Sequence, residues 1–441
     1  MEILILLIIF LVSALFLYVF IVKKMSYMNF ISEKFWIIVP WLVCLLLYLF
    51  GGIDYTYKLN WKSFGYIFLF WACFFGGSFI ARKRKKKKVN DCNLFQYSKK
   101  VPLKKFFILS LCSIIIYLIY VLSTNNIEFG VSRNLNLNFL TTFLVLISSV
   151  SIIIWLYELI YAILNDTRIP LIAYLSAIIY CIPALVISGR DAIIIIILST
   201  FISFLYSGNY AIKVLKKNGK TFKSLKKVLF ALTGIILFYF LFLSSNRYGS
   251  HMISLFEWSV NCRISPQLVY MTELLGSFGD FALNIIYYYS SQFSKFAFVY
   301  EFYNGPYLMG FFQLHYISRR LPTSMGLHYT RVTTSAAELM EGHGVPGLHS
   351  LWDTVIGYFI YDFGRVFALP MAAICGYFVG KMRNHFDQKR NIFSIILQVF
   401  ICVGMFITVE FSPIFNVNWI FPLFWLIILD KLIFKNFWKE K

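Results

Sequence analysis

Five of the six histidines in this chain, His251, His315, His328, His343 and His349, fall between residues 244 and 350. Glu338 and Glu341 lie in the same stretch, and Asp353 follows it. Histidine and carboxylate side chains are those enzymes use most to move protons. Glu338, Glu341, His343, His349 and Asp353 are therefore the candidates for a general base. The segment EGHGVPGLHS carries His343 and His349 among glycines and a proline. That spacing matches no standard zinc site, so no metal is expected there, and turn or hydrogen-bonding roles are the plainer alternative for the pair.

Arginine supplies the second chemistry. Arg247, Arg263, Arg319, Arg320 and Arg331 share this stretch, and Arg190 breaks the apolar run CIPALVISGRDAIIIIILSTFISFLY at 181–206. A guanidinium grips phosphate or carboxylate with a planar fork and does not deprotonate. These six are the candidate ligands of an anionic substrate. Ser188 and Gly189 permit a tight turn before Arg190. Asp191 then opens a helix whose N-terminus would offer free N–H groups to an anion. Asp191 equally suits the helix dipole or the neutralisation of Arg190. Further on, Asp362 and Arg365 stand three apart on an expected helix, which makes them expected partners.

The elements that position these residues are membrane spans. Of 441 residues, 59% are hydrophobic and 20% aromatic, and a bilayer core needs about 20 apolar residues per helix. The expected fold is an all-α polytopic membrane protein. Eleven spans fit, near 2–22, 35–53, 64–81, 106–123, 138–162, 169–187, 191–206, 228–243, 365–380, 391–409 and 418–434. The stretch Ile3 to Val22 lacks a basic leader and is read as a retained span. The eight cysteines form no CxxC pair, so neither a disulfide framework nor a zinc site is implied.

The net charge is +21. Lysine and arginine collect on cytoplasmic loops, so the RKRKKKK segment, Arg82 to Lys88, is placed inside. Alternation then puts 23–34, 163–168, 207–227, 381–390 and the C-terminus inside as well, and the N-terminus outside. No basic stretch joins a soluble nucleic-acid-binding module, so no nucleic acid partner is expected. Residues 281–303 are read as re-entrant or interfacial, because one more crossing would carry the basic 381–390 segment outward. The organisation is thus spans 1–8 over 1–243, a long outer loop over 244–350 containing short helices, and spans 9–11 over 351–441. Loops of that length are usually functional.

Sorted by side, the outer face holds three lysines, Lys58, Lys62 and Lys295. It holds eight arginines: Arg133, Arg190, Arg247, Arg263, Arg319, Arg320, Arg331 and Arg365. Inner lysine is orienting charge, whereas outer arginine opposes the positive-inside trend. Recognition of a fixed anion explains the set; pairing with outer carboxylates is the alternative for any single member.

The order of features is many spans, a short outer Ser188-Gly189-Arg190 turn, a long outer loop, and a W-x-T-x-x-G-Y-x-x-x-D-F-G stretch leading into the last spans. This resembles the O-antigen polymerase (Wzy-type oligosaccharide repeat-unit polymerase) family. Thr354, Asp362, Phe363 and Gly364 occupy that family's Thr and Asp-Phe-Gly positions, while Trp352-Asp353 replaces the tyrosine that often precedes the threonine. An Arg-x10-Gly pattern fits Arg331 to Gly342, and equally Arg365 to Gly376. The resemblance implies a GT-C-like membrane glycosyltransferase in a bacterial cytoplasmic (inner) membrane, with its active site facing the periplasm. Its substrates would be undecaprenyl-pyrophosphate-linked oligosaccharide repeats, joined into O-antigen or capsular polysaccharide. A chain-length regulator protein would be a partner, and no cofactor or metal is implied. Arginines would hold the pyrophosphate leaving group and a carboxylate or histidine would take the acceptor's proton. An O-antigen ligase and a lipid-linked oligosaccharide flippase or transporter are the alternatives.

Overall fold

The computed structural model describes residues 32–83, 103–124, 138–186, 191–215, 234, 252–345, 347–348, 353–389 and 391–437. They are mostly helical. The helices are α1 (Glu33–Phe50), α2 (Trp61–Lys83), α3 (Lys104–Thr124), α4 (Phe139–Ser148), α5 (Val150–Asn165), α6 (Leu171–Val186) and α7 (Asp191–Leu215). The loop region adds α8 (Met252–Val260), α9 (Pro266–Leu275), α10 (Ser277–Phe302), α11 (His315–Ser318) and α12 (Thr330–Gly342). The last part is α13 (Val355–Lys389), α14 (Ile392–Ile407) and α15 (Val417–Phe437).

Five helical stretches are long and apolar enough to cross a membrane: Glu33–Phe50, Trp61–Arg82, Lys104–Thr124, Phe139–Asn165 and Val355–Phe386. Shorter apolar helices occupy Leu171–Val186, Asp191–Ser207, Ile392–Ile407 and Val417–Leu429. Together these fall at nine of the eleven expected span positions. The other two, 2–22 and, apart from residue 234, 228–243, lie outside the described residues. The span expected over 138–162 is two helices, α4 and α5, meeting at Ser149. The hydroxyls of Ser148 and Ser149 donate to the carbonyls of Val145 and Leu146, three residues back. Serine back-bonding of this kind competes with the helical ladder and bends it.

The closest helix pairing joins α2 to α13. A Cβ on Gly77 would strike the Ala373 carbonyl, one on Gly376 the Phe74 carbonyl, and one on Gly380 the Ser78 carbonyl. Glycine lets the two backbones touch, the usual means of tight helix packing in a membrane. The rising register, Phe74 with Gly376 and Ser78 with Gly380, makes the helices parallel. Asn384 continues it by donating to the Ala81 carbonyl at 2.8 Å. Arg82 also pairs with the buried Glu33 at the start of α1. The C-terminal ends of α2, with Arg82 and Lys83, and of α13, with Lys381 and Arg383, therefore lie at one end of the bundle, here called the basic end.

The opposite end carries a two-stranded antiparallel ribbon of β1 (Ile53–Tyr55) and β2 (Cys262–Ile264), with Asp54 opposite Arg263. It is the β-structure found among the described residues. Helix α10 covers the segment expected to be re-entrant or interfacial. Its Ile286 lies against Gly51, its Ser290 hydroxyl is 2.6 Å from that of Tyr55, and Phe298 meets Tyr57. Phe293 dips inward to Trp41, and Tyr300 returns to Tyr66 at the start of α2. Both halves of α10 thus contact the ribbon end.

Helix α13 begins ten residues before the expected ninth span and breaks at Gly364, whose φ of 69° and ψ of 173° are not helical. A side chain there would be strained, and its Cβ would press on the Tyr307 ring.

Candidate active site at the ribbon end

The break at Gly364 decides what the Asp-Phe-Gly residues do. The Asp362 carboxylate accepts hydrogen bonds from the backbone N–H groups of Phe312, at 2.8 Å, and Gln313, at 3.1 Å. Its carbonyl accepts from the Met309 N–H at 2.9 Å. Arg365 instead donates to the Tyr303 carbonyl at 3.0 Å and to Asn304 Oδ1 at 2.6 Å, and lies over the Tyr300 ring. The expected Asp362–Arg365 pair is therefore not formed. It presumed a continuous helix, and the turn at Gly364 sends the two side chains to different parts of the same loop. Together they clamp residues 303–313 onto α13.

The clamped loop forms one wall of a cavity of about 610 Å³, and α12 forms the other. Asn304, Gly305, Pro306 and Tyr307 face Arg331, Thr334, Ser335 and Glu338 across it. Helix α12 is amphipathic, with Val332, Ala336 and Met340 buried at four-residue intervals. That stripe turns Arg331 and Glu338 outward together. The Arg331 guanidinium donates to the Gly326 carbonyl at 3.1 Å. The structure thus brings one expected anion ligand and one expected base to a single cavity. Glu341, on the same helix, is exposed and not among its walls. His343 packs on Phe302 and Phe298, with Nδ1 2.8 Å from the Leu339 carbonyl, and is likewise outside the walls.

Behind this cavity lies a buried charged couple. Asp353 is 1% exposed and Lys295, on α10, is 5% exposed. The Asp353 carboxylate rests over Gly357, where any Cβ would overlap it. Tyr361 and the Thr354 N–H sit beside the carboxylate, yet neither completes a hydrogen bond to its oxygens. Burial pushes the Asp353 acid up to about 6, against the opposing pull of the Lys295 ammonium. Burial also lowers Lys295 to about 8, against the pull of Asp353. Thr354 closes the N-terminus of α13: its carbonyl accepts from the Tyr358 N–H at 3.2 Å and its hydroxyl faces the Gly357 N–H. Tyr361 stacks edge-on to Tyr303, whose hydroxyl donates to the carbonyl of Pro306, a wall of the cavity. A chain of tyrosines so connects the couple to the cavity. Asp191 is also near, within electrostatic reach of Tyr358, and accepts a hydrogen bond from Asn416 at 3.3 Å.

Lys295 is the residue that sequence reasoning left among ordinary outer lysines. Its signal was present: Asn284, Ser291 and Lys295 recur at helical spacing within an otherwise aromatic stretch. A polar stripe on an apolar helix faces the protein interior in a membrane protein.

The remaining described candidate arginines form no ion pair with a described carboxylate. Arg319 lies 4.5 Å from the centre of the Tyr329 ring. Arg320 donates to the Tyr316 carbonyl at 2.6 Å and to the Thr142 hydroxyl at 2.7 Å. The ion pairs among the described residues are Lys58–Asp54, at 2.6 Å, and Arg82–Glu33. Neither involves Arg263, Arg319, Arg320, Arg331 or Arg365, so pairing with a described carboxylate does not account for these five. His315, one helical turn before Arg319, stacks on Phe415 at 4.0 Å. Burial, reinforced by Arg319 and Arg320, lowers its imidazole to about 3, so it is neutral. Among the described residues no three His, Cys, Asp or Glu side chains gather as a metal site. Arg190, Arg247 and His349 lie outside the described residues. No protein-family model matches this chain, and no curated protein or solved structure matches it either.

Proposed function

We propose that this protein is a membrane glycosyltransferase that joins lipid-pyrophosphate-linked oligosaccharide repeats at the outer face of a bacterial cytoplasmic membrane. One observation carries this reading. At the end of the bundle opposite the basic segments, Arg331 and Glu338 face one cavity, and none of the five described arginines Arg263, Arg319, Arg320, Arg331 and Arg365 forms an ion pair with a described carboxylate. The resemblance to the O-antigen polymerase family, with its Thr354 and Asp362-Phe363-Gly364 positions, supplies the substrate class.

In this proposal the acceptor sugar hydroxyl attacks the anomeric carbon of the donor. The bond from that carbon to the pyrophosphate oxygen breaks, and its electron pair leaves on the pyrophosphate. Arg331, helped by Arg365 through Asn304, stabilises the charge that develops there. Glu338, two turns along α12 on the same wall, takes the hydroxyl proton. Asp353 and Lys295 provide a fixed charged centre behind the cavity, reached through Tyr361 and Tyr303. The products are the lengthened chain on the acceptor's carrier and a free lipid pyrophosphate.

The test is a deletion strain scored for surface polysaccharide length and complemented with Arg331→Ala, Arg331→Lys and Glu338→Gln. Polymerase activity predicts single-repeat product in the deletion and in Arg331→Ala and Glu338→Gln, with partial chain length in Arg331→Lys. Lipid-linked polymer that never reaches its final acceptor would identify a ligase instead. Unchanged chain length in the deletion would overturn the proposal.

A further inference from the structure

The α8–α9 unit leaves a large apolar face uncovered by any described residue. On α9, Tyr270 is 64% exposed, Leu274 65% and Leu275 51%, with Met271 between them. These positions fall within one arc of the helix. Phe278, just past the corner at Gly276, is 67% exposed. Scattered exposed apolar residues need no explanation, but a contiguous face of this kind marks an interaction surface.

Three observations identify what covers it. First, α9 starts from the end of a span. The Ser265 N–H donates to the Gly52 carbonyl at 2.8 Å, and Gly52 packs on Leu268. Gly52 stands two residues beyond Phe50, the last residue of α1, which is 68% exposed. Trp61, which opens α2, is 65% exposed. The α9 face therefore continues the apolar belt of two helices long enough to cross a membrane. Second, its charge is wrong for an anionic partner: Glu273 is the only ionisable charged residue in α9 and lies off the apolar arc. Third, the start of α9 lies at a polar level. Asp54, Glu257 and Arg263 line a cavity with Ser265 and Pro266, whereas the far end carries Leu274, Leu275 and Phe278.

We infer that α9 and the corner to α10 form an oblique wedge in the outer leaflet of the bilayer, its N-terminus at headgroup level and Leu274 and Phe278 among the acyl chains. The occupant of the face is lipid. Apolar burial drives the contact, so it does not depend on anionic headgroups. The geometry of α10 agrees with it. Gly279 packs so closely on Thr272 that a Cβ would overlap its backbone. That corner ties the wedge rigidly to the helix carrying Lys295.

The test uses the full chain in phosphatidylcholine vesicles. A ketone-bearing residue replaces Gln267, Leu274 or Phe278, one at a time, and is coupled to a nitroxide, leaving native cysteines untouched. Collision rates with oxygen, which concentrates in acyl chains, and with a soluble nickel chelate are compared. The oxygen-to-chelate ratio is expected to rise several-fold from Gln267 to Leu274 and Phe278. Neither high salt nor added phosphatidylglycerol is expected to change it. A label at Leu274 as open to the chelate as that at Gln267 would overturn the inference. So would a label closed to both colliders. In that case, line broadening relieved by dilution with unlabelled protein identifies a second copy, and its absence identifies another protein segment. None of these readouts requires the glycosyltransferase reading to hold.

Discussion

Asp353 and Lys295 are a buried pair whose charges cost more than they return. The linkage follows from the directions of their shifts. Asp353 binds its proton more tightly folded than unfolded, so stability falls as pH rises from about 4 to about 6. Lys295 loses its proton sooner when folded, so stability rises again above about 8. Thermal unfolding in detergent should show a shallow minimum between those values, and Asp353→Asn combined with Lys295→Met should flatten it. Lys295→Met alone should lower stability by about 3–5 kcal/mol, because it strands a buried carboxylate. The double variant should recover most of that loss. Recovery in the double variant would show that the pair is there for a reason other than stability, and its connection to the cavity through Tyr361 and Tyr303 offers one.

The element that sets up the site is the broken helix α13. Asp362 holds two backbone N–H groups of the 303–313 loop. Asp362→Asn, which keeps one acceptor and loses the charge, should cost about 1.5–3 kcal/mol. It should also make the loop around Gly305 more susceptible to limited proteolysis. Gly364→Ala should cost about 1–3 kcal/mol through its backbone conformation, measured by thermal unfolding. These features also show where sequence reasoning succeeded and failed. Apolar length revealed the helices, because every backbone group in a membrane must be bonded within its own segment. The Asp362–Arg365 partnership was misread because helical spacing was assumed through Gly364, and a glycine's sign of φ is not written in hydropathy. The excess of arginine over lysine in the loop was legible as composition. That Arg331 and Glu338 meet at a cavity was not, since it depends on which stripe of α12 finds the core.

At the scale of the molecule, the basic C-terminal ends of α2 and α13 lie at one end, and the ribbon, the clamped loop and the 610 Å³ cavity lie at the other. A topology reporter inserted after Gly305 should therefore report the face opposite to one inserted within Arg82 to Lys88. Equal signals from both would contradict a bundle that crosses the membrane between them. The charge asymmetry of the sequence predicted this separation, because it acts on loops one by one. The parallel contact of α2 with α13 had no such signature, since its glycines lie far apart in the chain.

That contact has a consequence for how the protein is made. Gly77 and Gly376 are about 300 residues apart, and translation proceeds at about 5–20 residues per second, so α2 waits about 15–60 s for its partner to emerge from the ribosome. Throughout that interval its glycine face, shaped for another backbone, has only lipid or a temporary companion beside it. The nascent chain is therefore open to premature pairing with the wrong helix. Stalling synthesis just before Val355 should leave α2 in reach of crosslinks to the insertion machinery, and release past Lys389 should remove them.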